Sequence, residues 1–341
     1  MSTGCRRGCR CPQLESGVSE GRAGGCSLGG MSTVRLTREL LAEGYSHREL
    51  AQQVRAGALL PIRRGAYERM TTPGAPEGDA AHAVAAHLRL VRAAVRVTAP
   101  TAVVSHLSAA VLHGLPVLAG SLSRVQLTRA DIPGGKCRGG IRLYAAPLHA
   151  DDVVTVEGIA VTSLARTVLD LGRTVTFREA VMTGDAALRR GLARADLDSC
   201  LLRSTRWPGM PAARRVVAFL DPRSESAGES LSRVALHTAM VPPPQPQFEV
   251  RDRRGKLVGR ADFGWQAQRT LGEFDGRVKY GRLLKPGESA GDVIYREKLR
   301  EDALRDLDWQ VVRWTSAELM TFGLVTQRLE RAFVRGTPQS T

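Results

Sequence analysis

The sequence predicts an α/β protein, α+β overall, that contains more than one domain. A chain of 341 residues is long enough for two or three domains, and a hydrophobic content of 43% supplies the side chains for their cores. Helical and strand-like patterns alternate along the chain, which indicates mixed domains. We predict four segments: a disordered tail or mis-assigned start at 1–30, a small helix-and-hairpin domain at 31–75, a mixed α/β domain at 76–220, and a second α/β domain at 221–337.

The first 30 residues differ in composition from the rest of the chain. They hold arginines, glycines and four of the six cysteines, but no apolar segment of the kind found in a secretory signal. Met31-Ser32-Thr33 repeats the opening Met1-Ser2-Thr3, so we expect the natural chain to start at Met31. Cys137 and Cys200 are too few for a disulfide scaffold, and no apolar run spans a membrane. We therefore expect a cytoplasmic protein with no membrane partner.

The positive charge is concentrated in the first two thirds of the chain. The net charge is +15, and residues 31–220 carry 25 basic against 15 acidic residues, whereas residues 221–341 carry 20 against 17. A basic excess in one region is typical of a nucleic-acid-binding part. A GC-rich genome that favours arginine is the competing explanation.

Residues 35–70 predict two helices followed by a basic hairpin. A short helix is predicted at Thr37–Glu43, and Ser46 and Glu49 form the capping box that starts a second helix. Two strands around a basic turn follow within 59–67. This is the order of a winged helix-turn-helix, whose second helix enters the major groove of DNA. An ordinary helical pair with solvated arginines is the alternative. The predicted DNA contacts are Arg48, Arg55, Arg63 and Arg64.

The segment 76–220 shows helical patterns at both ends and strand-like runs between them. His106 and His113 lie on one face of a predicted helix, but no third metal ligand is near, so packing or capping is favoured over a metal pair. The predicted helices are Asp79–Val97, Ser105–His113, one from Thr162 or Ser163, Phe177–Arg190, Ala195–Leu202 and Pro211–Leu220; the predicted strands are Val125–Thr128, Ile141–Ala145, Val153–Val156 and Ile159–Val161.

The segment 221–337 predicts a covered sheet with three helices. Val241–Gln247 contains four prolines and predicts an extended polyproline connector. The other predicted elements are helix Glu225–Met240, strand Phe248–Val250, a hairpin of Leu257–Trp265 and Thr270–Gly276, helix Val293–Asp306, strand Trp309–Trp314 and helix Ser316–Arg335.

Three carboxylates crowd onto the predicted hairpin. A turn centred on Ala267 and Gln268 places Asp262 directly opposite Glu273, and Asp275 shares the face of Glu273 because strand side chains alternate. Like charges in direct opposition destabilise a sheet. A cation between the oxygens relieves this repulsion, and a small set of hard oxygen ligands suits Mg²⁺ or Mn²⁺.

Metal-assisted phosphodiester hydrolysis accounts for this set of residues. It needs carboxylates that hold a divalent cation, an activated water and a cation that neutralises the transition state. Asp262 and Glu273 are the predicted metal ligands, Glu229 adds a carboxylate from the preceding helix, and Lys279 orients water or neutralises phosphate. In the alternative, Asp262 forms an ion pair with Arg260 or Arg277, and the carboxylates have no catalytic role.

Two known families share these motifs. The C-terminal half resembles restriction-endonuclease-like domains related to very-short-patch-repair endonucleases, and the N-terminal part resembles the AbiEi-family antitoxin of type IV abortive-infection systems. The resemblance to the endonuclease-like domains depends on Glu229, Arg260-Ala261-Asp262-Phe263, Glu273-Phe274-Asp275-Gly276, Lys279-Tyr280, Arg296 to Asp302 and Val311 to Trp314. The resemblance to the antitoxin depends on Gly44-Tyr45-Ser46 through Tyr67, Ser105 to Ala110, and Thr162-Ser163 with Arg166, Thr167 and Asp170.

The resemblances imply both a fold and a function. They imply a PD-(D/E)xK nuclease fold with Asp262 and Glu273 as metal ligands, and a winged helix that binds promoter DNA. They also imply a cognate toxin or self-association. Asp275 stands where the nuclease pattern has a lysine, and Lys279 is the candidate for a migrated lysine. The sequence thus predicts a metal-dependent DNA endonuclease, with a non-catalytic antitoxin-like repressor as the alternative.

Overall fold

The computed structural model describes residues 34–69, 79–276 and 290–337, which form one compact unit of the chain. The chain is an α/β protein, as predicted, and its described residues form three separate sheets. Among the described residues, no helix combines the length and the apolar character needed to cross a membrane.

The N-terminal elements follow the order predicted for a winged helix-turn-helix, with one extra strand at the start. Strands β1 (Val34–Leu36), β2 (Leu59–Arg63) and β3 (Ala66–Arg69) form an antiparallel sheet in the order β1-β3-β2. Helices α1 (Thr37–Ala42) and α2 (His47–Arg55) lie between β1 and β2 in the chain.

Local signals explain why helix α2 forms where it does. The Ser46 hydroxyl accepts a hydrogen bond from the Glu49 amide at 3.2 Å, and the Glu49 carboxylate accepts one from the Ser46 amide at 2.7 Å. This capping box satisfies amides that a helix start otherwise leaves without partners. Gly57 follows the helix at a φ of +72°, a conformation that favours glycine. Leu50 is 2% exposed and packs with Leu40 and Leu59, so α2 is held against the sheet by its apolar side.

The middle domain contains a mixed six-stranded sheet in the order β6-β7-β5-β4-β9-β8. Its strands are β4 (Val103–Val104), β5 (Val125–Arg129), β6 (Lys136–Arg138), β7 (Ile141–Ala145), β8 (Val153–Val156) and β9 (Ile159–Thr162). Its helices are α3 (Asp79–Val95), α4 (His106–Leu112), α5 (Leu164–Thr174), α6 (Phe177–Arg189), α7 (Arg194–Arg203) and α8 (Met210–Phe219).

Helix α3 joins the N-terminal elements to the middle domain. Its Val91 and Ala94 are buried against sheet residues such as Leu127, while its Ala93 packs with Val34 and Leu36 of β1. The one helix thus contributes to two cores, which fixes the small N-terminal sheet against the larger one.

A buried ionic cluster joins helix α5 to the sheet region. The Arg166 side chain is fully buried, donates to Asp170 at 3.0 Å and Asp152 at 2.8 Å, and lies over the ring of Trp207 at 4.3 Å. Arg166 and Asp170 stand four residues apart on one helix, which brings their side chains together. Their part in the structure is to pair charges inside the core.

The C-terminal domain has a four-stranded sheet in the order β10-β11-β12-β13. Strands β11 and β12 pair antiparallel, and β12 and β13 pair parallel. The elements are α9 (Ala227–Thr238), β10 (Gln245–Arg251), β11 (Leu257–Trp265), β12 (Thr270–Asp275), α10 (Ala290–Arg305), β13 (Gln310–Thr315) and α11 (Gly323–Gly336).

Two sequence predictions for this domain need correction. Strand β10 begins at Gln245 inside the predicted polyproline connector; Pro246 is accepted because β10 is an edge strand. The final helix begins at Gly323 and not at Ser316, since Glu318–Met320 forms a short 3₁₀ turn first. The Glu318 carboxylate accepts the Thr315 amide at 2.9 Å, which stabilises that turn.

Candidate nucleic-acid interface and carboxylate cluster

Helix α2 presents a polar, basic face to solvent. Because 3.6 residues make one turn, Arg48 and Arg55 lie two turns apart on the same side, about 10 Å apart along the axis. Both are exposed, and neither makes a hydrogen bond or ion pair with any residue in the described parts of the chain. The opposite side of the helix carries the buried Leu50. The geometry therefore leaves two unneutralised guanidinium groups on the predicted recognition helix.

Two other arginines near these helices are neutralised instead. Arg35 pairs with Glu43, and Arg96 of the segment after α3 pairs with Glu39 at 2.6 Å. Arg48 and Arg55 have no such carboxylate partner among the described residues.

The two arginines of the β2–β3 hairpin have different environments. Arg64 lies exposed in the tight turn beside Gly65 and makes no ion pair with any described residue. Arg63 is half-buried, its Nε is buried without a hydrogen-bond partner among the described residues, and burial lowers its pKa. Its Nη2 lies 3.8 Å from where a Cβ on Gly139 would be. The arginine predicted as a phosphate contact is thus packed partly against the middle domain.

The two histidines of helix α4 have structural contacts. His106 is buried at a φ of +53° and stacks on Tyr144 with ring centroids 3.7 Å apart. Burial lowers the pKa of His106 to about 4, so its ring is neutral at pH 7. His113 Nε2 is 2.7 Å from the Thr162 carbonyl oxygen. These contacts agree with the packing role favoured from the sequence.

The β11–β12 hairpin has the register predicted from the sequence. Phe263 pairs with Gly272 and Trp265 with Thr270, so the next position along places Asp262 opposite Glu273. Asp262 Oδ2 accepts a hydrogen bond from the Phe274 amide at 2.8 Å. The carboxylate therefore spans the two strands, and this bond extends the ladder at the place where the carboxylates were expected to oppose each other.

Glu273 is held by two arginines. Its Oε1 accepts from Arg300 of α10 at 2.6 Å, and its Oε2 accepts from Arg313 of β13 at 2.9 Å. The two arginines also donate to Glu297, at 2.7 Å and 2.6 Å. One network thus joins strands β12 and β13 to helix α10. Hydrogen bonding to Glu297 raises the pKa of Arg300 above its ordinary value. The side chain of Glu273 is 15% exposed, so screening by water is weak.

Glu229 has a local role at the start of helix α9. It accepts from the Glu225 amide at 2.8 Å, from Ser226 Oγ at 2.7 Å and from Gln247 Nε2 at 2.8 Å. These contacts fix the entry of α9 and tie it to strand β10. The Glu229 carboxylate thus caps the start of the helix, and this role explains why a glutamate stands at this position.

The other residues predicted for this site, or as partners of Asp262, are Asp275, Arg260, Lys279 and Arg277. Asp275 is half-buried and sits opposite Thr315 in the parallel β12–β13 pair. Arg260, the partner proposed for Asp262, pairs instead with Glu225 at 2.8 Å. Lys279 and Arg277 lie outside the described residues.

Two arginines surround Glu273, one of the two predicted metal ligands. Guanidinium nitrogens stand within hydrogen-bond distance of both Glu273 oxygens, where a metal bound by Glu273 would meet like charge. One Asp262 oxygen accepts a backbone amide. Within the described ranges, no group of three or more His, Cys, Asp or Glu side chains is arranged to hold a metal.

Sequence reasoning assigned no role to Arg300 and Arg313. Arg313 lies beside Glu273 only because β13 pairs parallel to β12, and this pairing joins segments 40 residues apart. A local signal existed for Arg300, which stands three residues after Glu297 and so shares its helix face. The sequence offered no sign that both arginines converge on Glu273.

Comparison with known proteins gives two relatives without an assigned function. Scanning against protein-family models gives no match. The chain is 28% identical over 181 residues to Uncharacterized protein Rv2248 of Mycobacterium tuberculosis strain ATCC 25618 / H37Rv, a match that covers 53% of this chain and 64% of the relative. It has the same similarity to Uncharacterized protein MT2308 of M. tuberculosis strain CDC 1551 / Oshkosh. The matched part is thus less than two thirds of each relative's length.

Proposed function

We propose that the chain is a DNA-binding protein that acts as a non-catalytic, antitoxin-like transcriptional regulator in the cytoplasm. The observation that carries this proposal is the solvent face of α2, where Arg48 and Arg55 are exposed and unpaired among the described residues. In a winged helix-turn-helix, this second helix enters the major groove. The β2–β3 hairpin, with Arg64 at its turn, meets the phosphate backbone beside the groove.

Charge supports duplex DNA as the partner. Each phosphate that an arginine neutralises releases condensed counterions, which favours binding. Arginines already paired with carboxylates contribute less, because the acidic partner repels the phosphate. Arg48, Arg55 and Arg64 have no such partner among the described residues, so their charge is available. A cognate toxin or a second copy of the chain, the other partners implied by the antitoxin resemblance, would bind elsewhere on the molecule.

Hydrogen–deuterium exchange of the full chain tests where a duplex binds. Addition of duplex DNA is expected to slow amide exchange in residues 47–55 and 59–69, because bound DNA excludes solvent and stabilises these elements. Residues 257–275 are expected to keep their exchange rates. Single-stranded DNA of equal length is the control for general attraction of polyanions. Slowed exchange confined to 257–275, or no change at saturating duplex, would contradict the proposal.

Metal-dependent DNA hydrolysis is a second candidate function. The observation that favours it is the hairpin register, which brings Asp262 and Glu273 to opposed positions on neighbouring strands. The arginines that hold Glu273 weigh against it, and for this reason we place it second.

Incubation of supercoiled plasmid with Mg²⁺ or Mn²⁺ separates the two functions. If the chain is a non-catalytic regulator, as we propose, the plasmid is expected to stay intact. A nuclease would nick it, Asp262→Ala would abolish nicking, and Asp308→Ala would not, because Asp308 is an exposed carboxylate whose side chain is 83% accessible. Metal-dependent nicking with this pattern would overturn the non-catalytic proposal. Equal nicking by Asp262→Ala would indicate a contaminating nuclease and remove the site assignment.

A further inference from the structure

The β6–β7 hairpin of the middle domain carries basic side chains without carboxylate partners. Strand β6 is the edge of the six-stranded sheet, and all three of its residues are exposed. The side chains of Lys136 and Arg138 make no hydrogen bond or ion pair with any residue that the structure describes. Arg142 of β7 is also exposed and lies over the Tyr144 ring at 4.8 Å.

The turn of this hairpin lies beside the β2–β3 hairpin of the N-terminal domain. Gly139 and Gly140 make the turn at φ values of +56° and +76°, which favour glycine. A Cβ on Gly139 would lie 3.8 Å from Nη2 of Arg63. Arg138 directly precedes Gly139, and Arg64 directly follows Arg63. Each of these two arginines is thus one residue along the chain from a residue of the contact between the hairpins.

The half-buried Arg63 explains how the two hairpins keep their positions. Its guanidinium packs against the glycine turn, with Nε buried and without a hydrogen-bond partner among the described residues. A bulky side chain at Gly139 would meet this group. The contact joins the turn of the β6–β7 hairpin to the β2–β3 hairpin without using the side chains of Arg64 or Arg138.

We infer that the β6–β7 hairpin is a second DNA-contacting element, which meets phosphates next to those met by the β2–β3 hairpin. This inference rests on the proposed function. Each DNA strand presents one phosphate for about every 3.4 Å of helix axis, so two hairpins that contact each other can both reach phosphates of one duplex. Edge strands also carry charged residues to prevent pairing with other sheets. That explanation accounts for Lys136 and Arg138 on the edge, but not for the contact between Gly139 of their hairpin and Arg63 of the β2–β3 hairpin.

The test measures duplex affinity of the full chain as a function of salt by fluorescence anisotropy. Lys136→Ala/Arg138→Ala is expected to reduce the salt slope by about two units, since each lost phosphate contact contributes about one. The loss of affinity is expected to be the same on unrelated duplex sequences, because phosphates carry no base identity. Lys136→Glu/Arg138→Glu is expected to weaken binding further. The control is Arg206→Ala/Arg214→Ala, which removes two exposed arginines of the α7–α8 region.

The outcomes separate this inference from the proposed function. If the wild-type chain binds duplex and the Arg48→Ala/Arg55→Ala variant is weakened, but both Lys136/Arg138 variants match the α7–α8 control, the hairpin only protects the sheet edge and the inference is wrong. If the wild-type chain does not bind duplex, the proposed function itself fails. Unchanged thermal melting of each variant ensures that a loss of affinity is not a loss of folding.

Discussion

Replacement of Arg166 by methionine is expected to lower the free energy of unfolding by about 3–5 kcal/mol. The guanidinium is fully buried, and its Nη1 donates both to Asp152 at 2.8 Å and to the Pro147 carbonyl at 2.9 Å. Its Nε donates to Asp170 at 3.0 Å. Methionine fills similar volume but leaves Asp170 and Asp152 without their shared cation. A buried carboxylate without its cation is costly, because the surrounding protein solvates charge poorly.

Chemical denaturation with urea measures this loss, and Arg203→Met is the matched control. Arg203 also pairs with Asp152, at 3.2 Å, but its side chain is 35% exposed. An exposed ion pair contributes about 0–1 kcal/mol, so the control variant should stay close to wild type. Equal small losses for both variants would show that the buried cluster does not stabilise the domain, and would remove the structural explanation of the Arg166 and Asp170 motif.

The sequence predicted the helix-turn-helix elements and the hairpin register because both depend on local signals. A capping box at Ser46 and Glu49 specifies a helix start within four residues. Period-two alternation and the turn placed Asp262 opposite Glu273, and the pairing of Phe263 with Gly272 confirms this register. Each of these signals is complete within a short segment.

The environments of the charged residues could not be predicted in the same way. Arg313 reaches Glu273 through a parallel strand pair, and Arg300 reaches it from a helix. Arg63 is half-buried because the turn at Gly139 lies against it. Each contact joins distant segments, and no periodicity in the sequence encodes it. The sequence alone shows where carboxylates and arginines stand along the chain, but which of them form ion pairs depends on the tertiary structure.

This pairing is the reason why we place the regulator before the nuclease among the proposed functions. An arginine without a carboxylate partner attracts phosphate, whereas Arg300 and Arg313 are already satisfied by Glu273 and Glu297. Unpaired charge includes Arg48 and Arg55 on α2 and Arg64 on the β2–β3 hairpin, whereas Arg300 and Arg313 at the predicted nuclease site are neutralised. We therefore propose that DNA contacts the N-terminal elements and that the C-terminal carboxylates stabilise the fold.

The salt dependence of duplex binding by Arg48→Ala/Arg55→Ala is the most direct test of this account. The variant is expected to bind DNA more weakly and to show a salt slope about two units shallower than wild type. Leu50 keeps its packing, so the fold should not change. The Arg206→Ala/Arg214→Ala control loses the same charge and should retain the wild-type slope. An Arg48→Ala/Arg55→Ala variant with the affinity and slope of wild type would show that α2 does not contact DNA.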